Sequence, residues 1–170
     1  MRPHLGRREE ALQTAQQAAE LYQQLARERP DAFRPDWATS LNNLANMLSE
    51  LGRREEALPT AQQAVSIREQ LARERPDVFL SALAKSVSVE GNCLRALDRL
   101  SEAAEAREKA LRFLFPVFER RPLAHFPLMA AICRAYLEDA EAVNREPDPE
   151  LLAPVIDIFQ KCNQQSQPME

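Results

Sequence analysis

At 170 residues the chain has room for one ordinary domain or a short stack of repeats. Hydrophobic residues make up 45% and charged residues 28%, aromatics only 6%, with Ala, Leu, Glu, Gln and Arg prominent, so good helix formers dominate and strand formers are sparse. The fold class that follows is all-α, and a net charge of −4 argues against a general nucleic-acid binder, whose footprint is a strongly basic face.

The chain repeats itself. Residues 5–30, LGRREEALQTAQQAAELYQQLARERP, return at 51–76 as LGRREEALPTAQQAVSIREQLARERP, with 20 of 26 positions identical at an offset of 46. Such self-similarity marks a stack of supersecondary units. The offset continues: Pro30, Pro76 and Pro122 share one phase, as do Phe33 and Phe79, and Leu51 and Leu97. A diverged third copy keeps Glu102 and Ala103 in phase with Glu56 and Ala57.

In chain order, breakers and apolar periodicity predict seven helices, near 7–29, 36–51, 54–75, 79–97, 100–121, 123–143 and 148–164. The first matches the second helix of a later hairpin and lacks a mate, so it should present Leu12, Ala15, Ala19 and Leu21 to something. The second carries the stripe Leu41, Leu44, Leu48, Leu51 and ends at Gly52. The third opens with Glu55 and Glu56, turns Ala57, Leu58, Ala61, Ala64, Val65 and Leu71 inward, and stops at Arg75-Pro76. The fourth has the stripe Leu83, Val87, Leu94, Leu97, into which Glu90 falls; it either stays at the rim or pairs with an arginine. Pro59 sits inside the third helix, and Pro116 should kink the fifth near Phe113, Phe115 and Phe118. After the break EPDP a last amphipathic helix carries Leu151, Leu152, Val155, Ile156 and Phe159, followed by a frayed tail, QQSQPME. The repeats thus span 5–143, as a half unit 5–30, then 31–76, 77–122 and 123–143 onward, with a capping helix and tail at 144–170.

The string SLNNLANMLSELGRREEALPTAQQAVSIREQLARERPDVF, residues 40–79, resembles a tetratricopeptide repeat, in the long variant of kinesin light chains and of bacterial and fungal signalling proteins. Leu44, Ala45, Leu48, Gly52, Ala57, Ala61 and Ala64 stand in the order of that family's consensus, with Ala61 small where an aromatic is usual. In the next unit Glu90 replaces Leu44, Arg107 replaces Ala61 and Asp98 replaces Gly52. The resemblance implies an α-α superhelix, a solenoid of antiparallel helical hairpins whose first helices line a concave, ligand-binding surface. The side chains on that face are Thr39, Asn42, Asn43, Asn46 and Ser49 in one unit and Lys85, Ser88, Asn92 and Arg95 in the next. A row of side-chain amides both donates to and accepts from an extended peptide backbone. The family's carboxylate clamp is matched only in part: Val89 stands where an Asn is needed, and Ala131 and Ala135 stand where basic residues are needed.

Catalysis and cofactors have little support. His4 and His125 have no cysteine or carboxylate at metal-ligand spacing, and Cys93, Cys133 and Cys162 form no CxxC or CxxH, so no metal site is expected. Isolated glycines make no phosphate loop. His125 and Cys133 read as packing residues. No apolar run approaches a membrane span, and scattered cysteines suit a reducing, cytoplasmic setting. The leading expectation is therefore a non-enzymatic scaffold that binds a protein or peptide partner, not nucleic acid or membrane. The runner-up is a self-assembly element, a homo-oligomer through the unpaired first helix, or a fragment of a larger signalling protein.

Overall fold

The computed structural model describes residues 3–165, with side chains for 7–164; the His4 side chain and the tail beyond 165 lie outside the described residues. Seven helices follow one another: α1 Pro3–Glu28, α2 Pro30–Glu50, α3 Arg54–Glu74, α4 Pro76–Ala96, α5 Leu100–Arg120, α6 Pro122–Ala142 and α7 Pro149–Gln165. Each helix from α1 to α6 packs on the next, and α7 lies on α5 and α6. This is an all-α superhelix of antiparallel hairpins.

The 46-residue period sets both kinds of junction. Between hairpins the break is a single residue: Arg29, Arg75 and Arg121 have φ −137°, −141° and −139° with ψ 78°, 77° and 70°, and the prolines behind them open the next helices. Proline disfavours the helical region for the residue before it, yet is well placed as first helical residue, where its missing N–H has no helical acceptor. The breaks expected over 30–35 and 76–78 are therefore helical, and α2 and α4 begin at Pro30 and Pro76. The Arg29 and Arg75 guanidinium groups lie over the rings of Phe33 and Phe79, at 5.0 and 5.4 Å from the centroids.

Within hairpins the turn residue is left-handed: Gly52, Asp98 and Asn144, with φ 80°, 59° and 52°, fall at 46-residue intervals. Glycine, aspartate and asparagine tolerate this conformation best. At each, the next N–H bonds back five residues: Arg53 to Leu48 O, Arg99 to Leu94 O and Arg145 to Ala140 O, at 2.8, 3.0 and 2.9 Å. Arg53 and Arg99 then bridge Glu56 and Glu102 at the start of the following helix. α1 differs, because it runs helically through Leu5 and Gly6, the counterparts of the Leu51-Gly52 turn.

Internal prolines do not end helices. Pro35, Pro59, Pro127 and Pro154 each stand sixth in their helix. The carbonyls they leave without a helical donor belong to the exposed residues Asp31, Glu55, Leu123 and Glu150, where water can serve. Pro116 frees the carbonyl of exposed Arg112, and α5 continues to Arg120.

Small residues let the helices close. Ala38, Ala45, Ala57, Ala61 and Ala64 are fully buried between α2 and α3 and their neighbours. Leu41, Leu48, Leu83, Val87 and Leu94 are buried as their stripes require, and Glu90 is half-buried at the edge. His125 is half-buried near Ser81, and Cys133 is in the core. At the C-terminal end the Tyr136 hydroxyl accepts the Asp148 N–H at 3.0 Å, and Asp148 Oδ1 accepts from the N–H groups of Glu150 and Leu151. That caps α7, which buries Leu151 and Val155 and sets Phe159 against Phe118 and Phe126. Ile156, expected on the inner face, is instead 48% exposed, and Cys162 takes the buried phase.

Candidate functional site

First helices touch each other along the stack, α2 with α4 and α4 with α6, whereas the backbones of α3 and α5 stay apart. The stack therefore curves with α2, α4 and α6 on its inner side. Long side chains bridge the outer side, as Lys109 does to Glu69 at 2.9 Å.

The sequence-picked row lies on α2 and α4, but much of it is engaged within the fold. Asn42 is buried and donates to Ser86 Oγ at 2.8 Å, tying α2 to α4; its Oδ1 has no hydrogen-bond donor. Thr39 accepts at 2.7 Å from Arg68, which reaches over from α3 and also donates to the Pro35 carbonyl. Burial lowers the pKa of Arg68 and the Asp36 carboxylate partly offsets this, leaving a cation whose main partners are neutral oxygens. Asn43 is exposed, Asn46 and Ser49 are half-buried and Lys85 is exposed; none of these four side chains makes a hydrogen bond among the described residues.

Ser88, Asn92 and Arg95 join a network that, unlike the Arg68 contacts of the preceding hairpin, contains a buried ion pair. Arg107, on α5 and 1% exposed, donates to the Ser88 carbonyl, to Ser88 Oγ at 2.9 Å and to Asn92 Oδ1 at 2.5 Å. Its Nε faces Asp139 Oδ2 on α6 at 3.3 Å, and Arg95 holds the other oxygen of that fully buried carboxylate. Burial depresses the Arg107 pKa, opposed chiefly by Asp139. The network joins α4, α5 and α6 and is satisfied on both sides, as a buried ion pair must be. The row read from periodicity missed Arg68, Arg107 and Asp139, which approach it from other helices. The available signal was a coupled departure: Gly91 stands where Ala45 stands, and Arg107 where Ala61 stands.

A well-formed groove shares Thr39 and Asn43 with this row. Between α1 and α2 a groove of about 650 Å³ is lined by Ala11, Thr14, Ala15, Ala18 and Tyr22 on one wall and Asp36, Thr39, Ser40, Asn43 and Met47 on the other. It continues past Ala11 and Met47 to Arg7, Arg8 and Glu50. Leu12 and Ala19, expected to be uncovered, are buried in the core with α2, while Leu21 is 55% exposed. Among the described residues no group of three His, Cys, Asp or Glu is placed to hold a metal, and no helix is long and apolar enough to cross a membrane.

Residues 37–76 match the family model of the tetratricopeptide repeat, a span covering the α2–α3 hairpin except for the first residues of α2. This segment is a tetratricopeptide-type repeat, a unit that generally mediates protein–protein interaction. No curated protein matches the chain.

Proposed function

We propose that the chain is a protein-interaction scaffold that holds a peptide or partner segment along its inner row of first helices. The observation that carries this reading is chemical: the side chains of Asn43, Asn46, Ser49 and Lys85, on the first helices α2 and α4, are at least partly exposed and make no hydrogen bond among the described residues. Amides, a hydroxyl and one ammonium suit a peptide main chain with an acidic group nearby. Asn92 and Arg95 frame the site, fixed in place by Arg107 and Asp139. The 46-residue period and 21-residue helices favour the long form of the repeat. The unpaired thiols of Cys93 and Cys133 favour the cytoplasm. Self-assembly through α1 has less support, because Leu12 and Ala19 already pack with α2. No catalytic role is assigned.

The test is recovery of partners from an extract of the source cells. Asn46→Ala with Lys85→Ala should abolish recovery while helical circular dichroism stays unchanged. Undiminished recovery by the folded double variant would rule out the inner row.

A further inference from the structure

The repeat allows the α1–α2 groove to be compared with the same place one and two units further on. The wall Ala11, Ala15, Ala18, Tyr22 corresponds at 46 residues to Ala57, Ala61, Ala64, Arg68 on α3, and at 92 to Ala103, Arg107, Ala110, Leu114 on α5. The α3 set is covered by α2 and the α5 set by α4, leaving every alanine in them fully buried. In the first unit Ala11 is exposed and Ala15 and Ala18 are only half-buried. On the second wall Val89 and Cys93 are buried, whereas their counterparts Asn43 and Met47 remain accessible; Ser40, like its counterpart Ser86, is buried.

The helices filling the two closed seats share a pattern. Ala38, Leu41, Ala45, Leu48 on α2 and Ala84, Val87, Gly91, Leu94 on α4 are buried at spacings of three, four and three. We infer that the α1–α2 groove is the docking seat for an amphipathic helix of this small–aliphatic–small–leucine pattern, supplied by a partner protein. The alanine wall lets a helix backbone come close, and shape rather than charge selects it. Polar groups line the seat for register. Ser40 stands where Ser86 receives the Asn42 amide, and Tyr22 stands where Arg68 reaches the Pro35 carbonyl.

The probe is a fluorescein-labelled peptide of residues 30–51, the chain's own seat-filling helix, titrated into the intact protein by anisotropy. Saturable one-to-one binding, weakened at least about tenfold by Ala15→Arg with Ala18→Arg, is expected. Both side chains are partly accessible, so the variant should keep its circular dichroism and melting temperature. A free peptide of this length is a marginal helix, so a second measurement joins residues 30–50 to Leu5 in place of 1–4. The fusion should melt higher than the parent, and Ala15→Arg with Ala18→Arg should cancel the gain. Failure of both binding and stabilisation, or either effect surviving the arginines, overturns the seat. A dimer by sedimentation that the arginines dissociate would assign the groove to a second copy and overturn the partner helix. Loss of partner recovery on Asn46→Ala with Lys85→Ala leaves this result untouched, which separates the two surfaces.

Discussion

Gly91 and Arg107 share one space: a Cβ built on Gly91 would stand 2.9 Å from the guanidinium carbon of Arg107. The corresponding pair in the preceding hairpin is Ala45 with Ala61, both fully buried. One hairpin closes with two methyl groups, the other with none and a buried arginine. Moving the guanidinium aside would break its bonds to Ser88, Asn92 and Asp139.

Gly91→Ala should therefore destabilise the fold by about 1–3 kcal/mol in urea unfolding, within the range for overpacking. In an Arg107→Ala background the same substitution should cost close to nothing. Equal costs in both backgrounds would show that the close approach is not what requires glycine.

Arg107 and Asp139 should behave as a buried pair. Arg107→Met should cost about 3–5 kcal/mol, because Asp139 keeps only half-exposed Arg95 for its charge. Adding Asp139→Leu should recover much of that loss. Additive losses in the double-mutant cycle would mean that the two groups do not sense each other.

The left-handed turns give a prediction of opposite sign. Asp98→Gly and Asn144→Gly should each stabilise by up to about 1 kcal/mol, and Gly52→Ala should destabilise by a similar amount. Thermal melts of the three variants check this. Destabilisation by Asp98→Gly would assign the aspartate side chain a role that the backbone conformation does not require.

Burial pushes the Cys93 thiol up to about 11, with Glu90 adding to the shift and Arg107 opposing it, and burial alone takes Cys133 to about 11. A raised folded pKa contributes stability that is complete below the ordinary thiol value and is lost as pH rises through about 11. Wild-type stability should hold to about pH 8.5 and then fall. The Cys93→Ala, Cys133→Ala variant should lack that part of the decline. Alkylation followed by peptide mass spectrometry should find both thiols slow at pH 8 until urea is added, and rapid labelling of either in the native protein would contradict their burial.

The helices were legible in the sequence because one helix is written nearly twice, at 5–30 and 51–76; the phase of Leu41, Leu48, Val87 and Leu94 fixes which face turns inward. Helix starts were less legible. Pro30 and Pro76 look like stops, but the same ring that ends one helix through the preceding arginine begins the next. The inner row was legible as a set of positions. Its availability was not, since periodicity within α2 and α4 carries no information about arginines arriving from α3 and α5. Nor does it show that Leu12 and Ala19 face α2 while Ala11, Ala15 and Ala18 border the groove.

The inner row is tested most directly by site-specific photocrosslinking. Benzoylphenylalanine at Asn46 or Lys85, on the inner helices, should give covalent adducts with a partner in source-cell extract. The same probe at Gln63 or Gln70, exposed on outer helix α3, should give none. Adducts from 63 and 70 but not from 46 and 85 would contradict the account.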